Sequence, residues 1–97
     1  MKIPDKILVG GHTYEVVVGN DRGLESEGLR GSHSGFLRKI ELRSEMSDEE
    51  LSCTFIHEVL HAINEVYINS VLIEREVDGL ANGFHQVLEQ LGVRFTK

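Results

Sequence analysis

Hydrophobic positions change period near the middle of the chain. Up to about residue 42 they come in short runs or alternate with polar residues, and from Leu51 onward they recur every three or four. Alternation sends successive side chains to opposite faces of a strand, whereas the longer spacing lines one face of a helix. The first half therefore reads as strand and turn. Lys6 to Val9 is a short apolar stretch closed by Gly10-Gly11, a turn signal. Thr13 to Val18 is β-branched and aromatic, a strand that can pair with the first as a hairpin. Gly19 to Gly35, rich in glycine, serine and charge, is expected to be loop with one helical turn near Leu24–Leu29. Phe36 to Leu42 is expected to be a third strand, with Ile40 and Leu42 on one face. Lying just before the first long helix, it is predicted to form an open sheet edge. There Gly35 would let a second backbone approach, and Arg38 and Lys39 would guard against unwanted pairing.

The second half predicts two helices. Ser47-Asp48-Glu49-Glu50 matches a capping box, with Ser47 at the N-cap and Glu50 three residues on. Leu51, Phe55, Val59, Ile63 and Val66 follow at helical spacing, widened by Ile56, Leu60 and Tyr67, and the helix is expected to end near Tyr67–Ser70. Tyr67 is expected in the core. A second helix starts near Ile73 or Glu74, with Val77, Leu80, Phe84, Val87 and Leu91 as its buried face and Gly92 as its stop. The order predicts an α+β fold: a small antiparallel sheet of about three strands followed by two helices packed on one face.

Length and charge narrow this picture. The 97 residues suffice for one domain, 1–97, and are too few for two. The single cysteine, Cys53, allows no internal disulfide and fits a reducing compartment. No apolar run approaches a membrane span, and Met1-Lys2-Ile3-Pro4-Asp5 lacks a signal-peptide core, so a cytoplasmic protein is expected. A net charge of −6 argues against a nucleic-acid partner held by phosphate contacts.

The chemistry is concentrated in His57-Glu58-Val59-Leu60-His61, an H-E-x-x-H motif inside the first long helix. Residues four apart stack on one helical face, so both imidazoles can reach one metal ion. Glu58 is rotated about 100° from His57, where it flanks the ion and can take a proton from zinc-bound water. Both histidines lie off the main apolar arc, on a face shared with Thr54, Asn64 and Glu65.

A catalytic zinc takes three protein ligands and keeps one position open. Glu74 and Glu76 compete for the third place. Glu74 is favoured because Asp78, one turn later, can orient it or a ligand histidine. The other carboxylate then complements the positive end of the helix dipole. Cys53 precedes His57 by one turn, but Cys53, His57 and His61 would spread over ~12 Å, too far for one ion. It is expected to be a buried structural thiol. His85 is ~16 Å along its helix from Glu74 and should not reach the metal. His12 and His33 are expected at the surface, with a cleft-lining role for His33 as the lesser reading.

The His57–His61 motif, followed by Glu74-Arg75-Glu76-Val77-Asp78, resembles the gluzincin metallopeptidases, which use H-E-x-x-H and a glutamate often set in E-x-x-x-D. The size and short spacing are similar to those of the minigluzincins and of short peptidase-like proteins of phages and prophages. The likeness spans about Gly35 to Leu91. It implies a zinc-dependent endopeptidase with one Zn2+ per chain held by His57, His61 and Glu74, with Glu58 as general base and a peptide or protein as substrate. The alternative is a phage-type metal-binding regulatory or interaction module with little or no turnover. A structural zinc would need a fourth His or Cys and would not need Glu58, which favours the enzyme.

Overall fold

The computed structural model describes residues 1–97 as β1 (Lys6–Val9), β2 (His12–Val18), α1 (Asp21–Ser26), β3 (Gly31–Ser34), β4 (Lys39–Leu42), α2 (Asp48–Tyr67) and α3 (Glu74–Gln90). Strands β1 and β2 form the expected hairpin. Gly10 and Gly11, with φ of 59° and 80°, supply the two left-handed residues that a tight two-residue turn requires. The Gly10 N–H donates to the Tyr67 hydroxyl at 2.9 Å, tying this turn to the end of α2.

The sheet is mixed, with four strands in the order β1-β2-β4-β3, and so departs from the expected antiparallel trio. Chain leaving β2 passes through α1 and returns antiparallel as β3 and β4, which sets β4 parallel to β2. Leu24, buried, anchors α1, and the helical turn falls three residues earlier than expected. Strand β3 has no apolar run and exists through its pairing with β4. The predicted edge is thereby corrected. Phe36 to Arg38 belong to the β3–β4 turn, and β4 lies inside the sheet with Ile40 and Leu42 fully buried. The open edge beside α2 is β3.

One face of the sheet carries α2. Register places Val16 opposite Ile40 and Val18 opposite Leu42, and cross-strand partners point to the same face. Tyr14, Val16, Ile40 and Leu42 meet Leu51, Phe55 and Ala62 of the helix in one core. Ser47 caps α2, accepting from the Glu50 N–H at 3.2 Å. After α3 the chain returns to this core, where Phe95 sits edge-on to Phe55 with centroids 5.0 Å apart.

Helix α3 packs chiefly against α2. Its buried residues are Val77 and Ala81, whereas Leu80, Phe84, Val87 and Leu91, expected in the core, are 43–71% exposed. A helix covered on one side by a single neighbour cannot bury an apolar arc this wide. Tyr67 is likewise 65% exposed, an anchor for the β1–β2 turn and not a core residue. Gly92 ends α3 with φ 79°, as its glycine predicts. No helix is long and apolar enough to cross a membrane.

Candidate metal centre

Two helices and the edge strand build the site. The α2–α3 turn is stapled by Asn64, a buried residue of α2. Its side-chain amide donates to the Leu72 carbonyl at 3.0 Å and accepts from the Leu72 N–H at 3.1 Å. Its backbone carbonyl accepts from Ile68 and Ser70, while Asn69 and Ser70 take left-handed φ of 54° and 59° to make the reversal. This brings the start of α3 back over the middle of α2. Glu76 there accepts from the Ile73 N–H at 3.0 Å, so its carboxylate is used at the helix start. Glu74, two residues earlier and about 200° around the helix, faces the histidines instead.

The imidazoles of His57 and His61 approach with Nε2 atoms 3.0 Å apart. One Glu74 carboxylate oxygen lies 2.9 Å from the His57 Nε2, and the other lies 2.9 Å from the His61 Nε2. With one ligand atom taken from each residue, the three donors lie within 4.8 Å of one another, close enough for small side-chain adjustments to bring them around a single ion. Two imidazole nitrogens and a carboxylate oxygen are also the donor chemistry that zinc takes. The three residues are the single group of His, Cys, Asp or Glu side chains in the chain with ligand atoms this close, all within 4.8 Å. Burial holds His61 below its ordinary pKa, against the pull of Glu74 and Glu58, which keeps the ring neutral with a lone pair to give. Asp78 lies 3.6 Å from the His57 Nδ1, behind the ring as seen from the cluster. There its charge favours the tautomer that leaves Nε2 free.

Glu58 lines the same cleft as the three donors, is not part of their group and is only 6% exposed. Its charged neighbour is His33, whose Nδ1 lies 3.8 Å from the Glu58 carboxylate. His33 also stacks on His61, with centroids 4.9 Å apart and planes within 5°. Its Nε2 lies 3.3 Å from Glu65. The Glu58 and Glu65 carboxylates raise the pKa of His33 against the effect of burial. The structure thus places at the centre of the site a residue expected at the surface. The reason is register: His33 pairs with Ile40, a core position, so its side chain points to the sheet face that carries α2. Reading Gly31 to Ser34 as a strand was the signal that would have found it.

These groups line a cleft of about 1030 Å³ bounded by β3, α2 and α3, whose lining residues are mostly polar or charged. Cys53 and His85 also line it. Cys53 is half-buried and donates to the Asn82 side chain at 3.3 Å, so it is not the buried thiol expected; burial still pushes its pKa up, away from thiolate chemistry. His85 faces Glu89 at 3.7 Å and takes no part in the three-donor cluster. His12 is exposed at the head of β2, remote from the cleft residues. No protein-family model, curated protein or solved structure matches the chain.

Proposed function

We propose that the chain is a zinc-dependent endopeptidase of the gluzincin type, with His57, His61 and Glu74 as ligands and Glu58 as general base. The observation that carries this reading is the three-donor cluster beside a carboxylate that is not part of it. Three donors with no fourth in reach leave a position open, which favours an enzyme over a closed structural site. A bound zinc supplies Lewis acidity toward a carbonyl and makes a water molecule acidic near neutral pH.

The residues of the chain do the rest. Asp78, behind the His57 ring, keeps it oriented toward the ion. Glu58 accepts the proton of the attacking water on a carboxylate oxygen and returns it to the leaving amine nitrogen. Its near-complete burial keeps the carboxylate in one place. An extended peptide lies along β3, adding to the open edge through backbone hydrogen bonds with its scissile bond at the cluster. A cleft with only two hydrophobic residues in its lining suits a substrate held by its backbone better than an apolar small molecule, whose pockets are lined mostly by hydrophobic side chains.

The test is Glu58→Gln on zinc-loaded protein, assayed against unfolded proteins and peptide libraries. Full zinc occupancy with hydrolysis reduced at least ~100-fold is expected. Equal cleavage by wild type and Glu58→Gln would remove Glu58 from the mechanism, and no cleavage by the zinc-loaded wild type would remove the peptidase reading.

A further inference from the structure

Glu58 has one basic side chain within 4 Å, His33, and it comes from the edge strand, not from either helix of the motif. His33 stands between two carboxylates. Its Nδ1 faces Glu58 at 3.8 Å and its Nε2 faces Glu65 at 3.3 Å. Its ring lies parallel to that of His61. Helix α2 presents Glu58, His61 and Glu65 at spacings of three and four, so one imidazole can touch all three. A surface carboxylate beside a histidine is common, and Glu65 is 42% exposed. What sets this one apart is Gly35. The Glu65 carboxylate rests against bare backbone just after β3, and a side-chain carbon at position 35 would make that flexible end swing aside. Gly35 has no left-handed φ to explain it, so what its lack of a side chain provides here is space.

We propose that Glu65 and His33 form a latch, seated on Gly35, that holds the Glu58 carboxylate and the His61 ring plane in their working arrangement. The inference rests on the peptidase reading and extends it: His33 is a positioning residue for the general base, supplied by the same edge strand that would hold the substrate. Glu65 fixes His33 by accepting from Nε2–H. The ring, so fixed, presents Nδ1 to Glu58 and its face to His61. Substrate binding along β3 and placement of the base are thereby coupled through one strand.

Two measurements on full-length, zinc-loaded protein test the latch. The first is the imidazole N–H spectrum of protein with isotope-labelled histidine. His33 should show a slowly exchanging Nε2–H, identified by its loss in His33→Ala. Glu65→Ala and Gly35→Ala, which removes the seat of Glu65, should both abolish that signal in protein that remains folded. A His33 Nε2–H that persists in both variants would overturn the latch. The second is steady-state hydrolysis. His33→Ala should lower kcat by about 10- to 100-fold with KM little changed, as loss of a partner that orients an active-site group does. His33→Gln, which keeps one donor, should recover part of the loss. Unchanged kcat in His33→Ala would overturn the positioning role. A zinc-loaded wild type that cleaves nothing would instead defeat the peptidase reading, leaving the N–H signal to decide the latch by itself.

Discussion

Helix α2 has two faces that hold together by different means. Toward the sheet, Leu51, Phe55 and Ala62 join Tyr14, Val16, Ile40 and Leu42 in a core where each side chain has many apolar neighbours. Toward α3 and β3, His57, Glu58, His61 and Asn64 each depend on a few named polar partners. Dispersion and burial are additive and non-directional, so the core tolerates the loss of any one contact at a graded cost. Polar partners are directional, and losing one leaves the other unmatched. The sheet side of α2 therefore sets stability, and the cleft side sets geometry.

Substitutions on the two faces should separate along that line. The largest change in stability is expected for Leu51→Ala, on the sheet side. Leu51 is fully buried, and deleting its branched end should cost about 2–5 kcal/mol in denaturant unfolding, with zinc affinity of the folded protein unchanged. A zinc affinity that falls in step with stability would show that the faces are not independent. Asn64→Ala should be smaller and mixed. It leaves both polar groups of Leu72 without their partner and loosens the turn that aims Glu74, costing about 1–3 kcal/mol of stability and some zinc affinity. Asp78→Ala, on the cleft side, should leave unfolding nearly unchanged, because Asp78 is 62% exposed, yet weaken zinc binding about 10- to 100-fold. Unaltered zinc affinity in Asp78→Ala would remove Asp78 from the site.

Much of the core and part of the site were legible in sequence. The period of the apolar residues marks both long helices, Ser47 and Gly92 mark helix ends through their own cap chemistry, and Gly10-Gly11 marks a turn because of its left-handed φ. The spacing of His57 and His61 is local, and local geometry carries it into three dimensions. What stayed hidden depends on partners distant in sequence. Strand β3 reads Gly-Ser-His-Ser and shows no periodicity, since its pairing with β4 supplies what its side chains do not. The parallel β2–β4 pairing follows from the crossover through α1, so β4 lies inside the sheet and the open edge moves to β3. His33 was hidden with its strand. The apolar stripe of α3 misled in the opposite sense: amphipathicity says which face prefers burial, not whether the fold has anything to cover it.

The central claim is that Glu74, and not Glu76, completes a zinc site with the two histidines. Equilibrium zinc binding by chelator competition, run in parallel on wild type, Glu74→Ala and Glu76→Ala, tests it most directly. The account predicts about one zinc per chain in wild type. Glu74→Ala should lose affinity by well over ~100-fold, because a ligand is lost and not merely a supporting partner. Glu76→Ala should keep wild-type affinity within a few-fold and lose only the modest stability of a helix-start hydrogen bond, about 1 kcal/mol. Zinc binding that survives Glu74→Ala and fails in Glu76→Ala, or a wild type that binds no zinc at all, would contradict it.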